Sequence, residues 1–202
     1  MNYLAIDTAN KNLTVIICKD GEIYKYYDEQ CGVNHSTELM PRVEELAEKV
    51  GFDFKKADFF ACVIGAGSFT GIRIGVATVK AMCFAFNKPC LAITSFDVLA
   101  YNKKYGKILA IIDAKHDGYY ACGYDNGKVV LEPAYLSGQE IKLLSESYEV
   151  VSATQVSVVD AEIVSVSDGL VLAIEEKKQQ ITFDTEALTP LYVRKSQAEE
   201  GR

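Results

Sequence analysis

Residues 4–23 read LAIDTANKNLTVIICKDGEI, and residues 110–129 read AIIDAKHDGYYACGYDNGKV. Laid over one another without a gap, at an offset of 106, they place Ile6 on Ile112, Asp7 on Asp113 and Gly21 on Gly127. Identities are few, but the order of features is shared. Each copy has an apolar strand ending in Asp, a short polar turn, a second strand-like run, and a DG or NG turn into a third strand. A repeat at half the chain length marks two lobes built on one unit. The boundary is expected near YNKKYG (101–106), giving lobes 1–104 and 105–202, the second abbreviated.

The chain has 202 residues, 49% of them hydrophobic, enough for a packed core. No apolar run reaches the ~18 uninterrupted residues of a membrane span. The start, MNYLAIDTANK, has no basic stretch before an apolar block, so a cytoplasmic protein without membrane partners is expected. The six cysteines form no CxxC pair and read as small core hydrophobes. With a net charge of −7 and no basic cluster beyond Lys pairs, the chain is a poor candidate for gripping a polyanion alone.

Between the copies lie two helices. Segment 35–50, HSTELMPRVEELAEKV, sets Leu39, Val43, Leu46, Ala47 and Val50 on one stripe, and Pro41 must lie in its first turn or bend it. Segment 69–86, FTGIRIGVATVKAMCFAF, carries only Arg73 and Lys80 as charges and has apolar side chains on every face. Strands are expected at 59–64 and 90–93 and a helix near 95–103. The second lobe should contain strands near 107–112, 119–124 and 128–131 and a helix near 137–147. Residues 149–174 alternate apolar and polar positions with no strong breaker before Gly169, and EEKKQQ (175–180) reads as a solvated face or loop.

Four motifs then carry a resemblance: LAIDTA (4–9), HSTELMP (35–41), GAGSFTGIRIG (65–75) and LTPLYVRKSQAE (188–199). In this order they resemble the TsaB family, also called YeaZ. The resemblance implies an α/β fold of the duplicated actin-like/sugar-kinase-like (ASKHA) type, two lobes of mixed sheets flanked by helices. It implies a non-catalytic scaffold subunit of the bacterial machine that makes N6-threonylcarbamoyladenosine (t6A) in tRNA, without a cofactor of its own. TsaB-like subunits pair with and activate the transferase TsaD through helices of the first lobe. TsaE joins that pair, tRNA is met through the complex, and a TsaB-like subunit alone forms a homodimer through the same surface. Ala66 stands where relatives usually carry proline, for which a slightly looser corner is expected.

Each candidate site has a rival reading. An ATP-binding kinase or ATPase of this fold places phosphates between two Asp-bearing hairpin turns, where glycine admits the anion. Here those turns, Asp7-Thr8-Ala9-Asn10 and Asp113-Ala114-Lys115-His116, contain none, so Asp7, Thr8 and Asp113 outline a degenerate cleft. The catalytic relative's pair of metal-binding His at i, i+4 corresponds to His35 and Leu39, which leaves one ligand and no metal; His35 is expected at the surface or as a cap. Ser68 lacks the first glycine of a nucleophile elbow, which weighs against a peptidase acting on a partner. Gly65, Gly67 and Gly71 are one residue too widely spaced for a dinucleotide fingerprint. Gly65 and Gly67 read instead as a corner, with Ser68 or Thr70 capping the following helix.

A helix apolar on all faces is either wholly covered within its subunit or exposes a docking patch. Gly71 and Gly75 would let a second helix approach. With the resemblance, the interface reading prevails: Leu39 and Val43 from the first helix, and Gly71, Ile72, Gly75, Thr78, Val79 and Met82 from the second.

Overall fold

The computed structural model describes residues 1–103, 105–114 and 118–194. Three strands, β1 (Tyr3–Asp7), β2 (Leu13–Lys19) and β3 (Glu22–Asp28), run as an antiparallel meander. Helix α1 (His35–Val50) then leads to β4 (Phe59–Val63), and α2 (Phe69–Phe86) leads to β5 (Cys90–Ile93). Both crossovers return parallel, giving the order β3-β2-β1-β4-β5. After α3 (Ser95–Ala100) the scheme repeats with β6 (Lys107–Asp113), β7 (Gly118–Asp125), β8 (Lys128–Ser137), α4 (Gly138–Ser145), β9 (Glu149–Ser152), β10 (Glu162–Ile163) and α5 (Val166–Lys177). The second sheet reads β10-β9-β6-β7-β8, with the same pattern of parallel and antiparallel neighbours. The duplication is one of topology, and the second copy is abbreviated: α4 has 8 residues against the 16 of α1. Residues 153–161, where α2 would fall, form no helix.

The chain divides into two compact units, Met1–Thr94 with Ile174–Leu191, and Ser95–Ala173 with the chain from Tyr192. Helix α3 packs on β6, β7 and β9. Lys104, at the expected lobe boundary, lies outside the described residues.

The first unit has its core where α1 and α2 lie on sheet 1. Leu39, Val43, Ile72 and Val79 are fully enclosed, and each such side chain contributes about 1.5–3 kcal/mol on leaving water. Helix α1 stops at Gly51 and α2 at Asn87, both in the left-handed conformation and both donating back to the last turn. Pro41 sits in the second turn of α1, not the first, and the helix runs on past it. Residues 181–191 return to this unit: Thr182 exchanges two backbone hydrogen bonds with Cys90 of β5, and the Leu191 N–H donates to the Ile64 carbonyl at 2.7 Å. This covers the sheet's outer edge. All six cysteines are buried free thiols.

The second unit departs from the sequence reading in its later half. The alternating stretch 149–174 is a strand, a loop, a two-residue strand and most of a helix. Helix α3 stops at Ala100, and β8 extends to Ser137, where Ser137 and Glu140 form a capping box for α4. Gly169, expected to break structure, lies inside α5. A Cβ there would stand 1.9 Å from the Val98 carbonyl oxygen of α3, so glycine is what allows the two helices to touch. Asn102 locks the contact, donating to the Val98 and Ser165 carbonyls.

The hairpin turns fix the true register of the repeat. Asp20-Gly21 and Asn126-Gly127 both have positive φ and correspond at an offset of 106. Counting back along β2 and β7, Thr14 corresponds to Tyr120. Thr14 pairs with Asp7, whereas Tyr120 pairs with Ile112. The residue corresponding to Asp7 is therefore Ile112, because the second copy has one residue more between these positions: seven lie between Ile112 and Tyr120, against six between Asp7 and Thr14. A one-residue slip exchanges the faces of a strand.

Gly169→Ala should cost about 2–4 kcal/mol in urea unfolding, since the Cβ meets backbone that cannot step aside. A loss below about 1 kcal/mol would contradict the close α3–α5 packing.

Candidate functional site

The turn after β1 and the corner before α2 meet. Ser68 N–H donates to the Ala9 carbonyl at 2.7 Å, and Thr8 Oγ1 donates to the Gly71 carbonyl at 2.7 Å. A Cβ on Gly67 would lie 2.1 Å from Ala9 O, one on Gly71 2.0 Å from Thr8 O, and one on Gly75 2.6 Å from Thr8 Oγ1. The glycines thus admit the subunit's own turn. Gly65 has φ +115° and is closed over by Leu191 and Ile72, so the LTPL segment braces the corner. Ser68 is the cap, its Oγ accepting from the Gly71 N–H at 3.3 Å, while Thr70 is exposed in the first turn. Backbone carbonyls of Thr8 and Ala9 face this helix start, which is the opposite of the N–H lining an anion requires.

Asp7 is 1% exposed. Its Oδ1 accepts from the Ala9 N–H at 2.8 Å, and beside it lie buried Asn12, Thr14 and His35. His35 is not a surface or capping residue as expected. It is buried at the start of α1 with Nε2 donating to the Asn12 carbonyl at 3.0 Å. Burial pushes the Asp7 carboxyl up to about 6, against the opposing pull of the Ala9 N–H, the His35 charge and the Asn12 side chain. Asp113 does not repeat this arrangement: it is exposed, and half-buried Ile112 holds the equivalent place. The expected pairing of Asp7 with Asp113 as matching strand-end carboxylates is therefore corrected by the extra residue between the second copy's first two strands. Lys115 and His116 of that turn lie outside the described residues.

The expected docking face also needs correction. Leu39 and Val43 lie beneath α1, and Gly71, Ile72, Gly75, Val79 and Met82 are buried. Gly75 faces Ile6 and Cys62 of the sheet. Of the eight residues, only Thr78 is partly exposed. The signal was present in the spacing: at 100° per residue, Gly71 and Gly75 stand roughly 140–180° round the helix from Arg73 and Lys80. Between the glycine side and Arg73 and Lys80, the outer arc of α2 carries Ile74, Ala77, Thr78, Ala81, Phe84 and Ala85, all exposed or half-exposed and themselves uncharged, with Phe84 at 90%. Met40 of the adjacent α1 is exposed as well. Among the described helices α2 alone is long and apolar enough to cross a membrane; its inner face is packed on sheet 1.

Two units of one strand order, each a meander followed by parallel crossovers, define the actin-like/sugar-kinase-like class. The family model described as tRNA N6-adenosine threonylcarbamoyltransferase, TsaD, matches residues 27–143. The chain is 32% identical over 136 residues to the tRNA threonylcarbamoyladenosine biosynthesis protein TsaB of Bacillus subtilis, covering 65% of this chain and 58% of that protein. It is 29% identical over 128 residues to TsaB of Escherichia coli, covering 61% and 55%. The matched part thus spans a little over half the length of these relatives. The solved structure of YeaZ from Pseudomonas aeruginosa superposes with a TM-score of 0.77 at 24% identity, covering 95% of this chain and 99% of that one, a likeness of fold. The chain belongs to the threonylcarbamoyltransferase family of that model, and its relatives there are the TsaB, or YeaZ, proteins.

Two substitutions test this site. Gly71→Ala should lower unfolding free energy by about 2–4 kcal/mol, as its Cβ meets backbone. For Asp7, a folded-state value raised above the unfolded one of about 3.9 means stability is greatest below about pH 4 and falls as pH climbs through 6. Asp7→Asn should therefore be about 1–3 kcal/mol more stable than the parent at about pH 7.5 and nearly equal to it at about pH 3.5. Denaturant titration at both pH values checks this, and equal stability at pH 7.5 would count against the buried carboxylate.

Proposed function

We propose that this protein is a non-catalytic partner subunit in tRNA t6A synthesis, pairing with and activating TsaD. The reading rests first on its relatives, which are named as threonylcarbamoyladenosine biosynthesis proteins. The observation that carries it is the uncharged outer arc of α2, with Phe84 90% exposed at its end. An exposed apolar stripe of this length is a surface that seeks another protein. The partner helices pack on Ile74, Ala77, Thr78 and Ala81, whose small side chains permit a close approach, and Phe84 supplies a large anchor. The second subunit orders the catalytic one, TsaE joins the assembled pair, and tRNA is held through the complex in the cytoplasm. A second copy of this chain covers the same stripe when TsaD is absent. The place of Ile112 opposite Asp7 in the repeat favours this role over that of an ATP-dependent enzyme, because the two strand-end carboxylates do not correspond.

Ala81→Glu and Phe84→Glu should each weaken pairing with the same organism's TsaD by about 100-fold or more, while leaving thermal unfolding within a few degrees of the parent. Size-exclusion chromatography and calorimetry of the mixed proteins measure this. Undiminished pairing by both variants would remove α2 as the interface, and no complex with the parent protein would remove the proposed role.

A further inference from the structure

Residues 181–191 follow α5 and run along the β5 edge, from Thr182 beside Cys90 to Leu191 beside Ile64. Of these residues only Leu188 is buried, with none of its surface exposed. Three backbone hydrogen bonds join the segment to the sheet, and they lie at its two ends. Thr182 and Cys90 donate to one another's carbonyls at 3.0 and 2.7 Å, and the Leu191 N–H donates to Ile64 at 2.7 Å. The Cys90 thiol adds a weak bond to the Asp184 carbonyl at 3.5 Å. Glu186 reaches Lys80 of α2 at 3.5 Å, but its side chain is 82% exposed, where an ion pair adds little.

Within itself the segment is well knit. Thr182 Oγ1 accepts from the Asp184 N–H at 3.0 Å, and the Asp184 carboxylate accepts from the Glu186 N–H at 3.0 Å. The Asp184 carbonyl accepts from the Ala187 N–H at 3.2 Å, and Thr189 Oγ1 donates to the Glu186 carbonyl at 2.6 Å. Internal bonds with one buried side chain and few outward ties describe a segment that leaves the fold as a unit. Beneath it lies Gly65, where a Cβ would stand 2.7 Å from the Leu191 carbonyl oxygen. The corner's own bonds, Ser68 to Ala9 and Thr8 to Gly71, do not pass through the segment.

We infer that residues 181–191 are a strap that opens and closes as one unit while sheet 1 and α2 stay folded, with Leu188 as its latch. Open, the strap leaves the Cys90 N–H and the Ile64 carbonyl to water and offers the main chain of β5 for pairing. Closed, it bars that edge. The device belongs to the edge of sheet 1 and does not depend on α2 pairing with another protein.

Native-state hydrogen exchange of the full, isotopically labelled chain, followed by NMR at low urea concentrations, tests this. The amides of Thr182, Leu191 and Cys90 should exchange through one opening, about tenfold or more faster than those of β1. Their exchange should also depend less on urea, because opening the strap exposes less surface than unfolding the unit. Leu188→Ala should speed these three amides about 30-fold or more. Val43→Ala, in a part of the core that stays folded when the strap opens, should speed the β1 amides by a similar factor and leave the three unchanged. Should either variant fail to fold, the urea dependence of the parent still decides. Three results would each overturn the inference: strap amides as protected and as urea-sensitive as those of β1, equal acceleration of both sets by Val43→Ala, or Leu188→Ala speeding Leu191 without Thr182 and Cys90. None of them bears on pairing through α2, which Ala81→Glu tests separately.

Discussion

The contact on which the first unit depends is the backbone of Thr8 and Ala9 pressed against the start of α2. Two hydrogen bonds cross it, Ser68 N–H to Ala9 O and Thr8 Oγ1 to Gly71 O, and any side chain at Gly67 or Gly71 would break it. This one approach sets the height and rotation of an 18-residue helix over β1 and β4. Its consequences run outward. With Gly71 and Gly75 turned inward, Val79 and Met82 follow them to the sheet, and the apolar residues left over must face outward as Ile74, Ala77, Ala81 and Phe84. The exposed stripe is thus a geometric product of the buried one.

The same contact explains why a glycine-rich corner before a helix need not be an anion site. Phosphate cradles need backbone N–H groups pointing into open space. Here the space is taken by the preceding turn, with its carbonyl oxygens toward the helix. Asp7 behind that turn is buried and held by Ala9 and by its neighbours Asn12 and His35, a set that organises the turn rather than presenting a reactive carboxylate.

Much of the fold was legible because local signals agreed. Helices 35–50 and 69–86 have their observed bounds, since Gly51 and Asn87-Lys88-Pro89 stop them and apolar spacing fills them. The two DG and NG turns located both meanders. Three features lay beyond the chain's local grammar. The extra residue between the second copy's first two strands is invisible to an ungapped comparison, because Asp113 still ends its strand; only hydrogen-bond register shows that it lies on the other face. Gly169 looks like a breaker unless one knows that Val98 lies against it. The direction of Gly71 and Gly75 was readable from the wheel, where Arg73 and Lys80 mark the far side, but small residues suggest a helix neighbour as readily as a turn.

Residues 182–191 close the edge of β5 and supply the N–H that satisfies the Ile64 carbonyl. In the order of synthesis these residues follow every strand of the second sheet. The unit that begins at Met1 therefore waits with an open β5 edge and an unbraced glycine corner while the whole of the second sheet is made. The first sheet's edge is thus closed only after the second sheet has been made, and the second unit can acquire its sheet while the first is still incomplete.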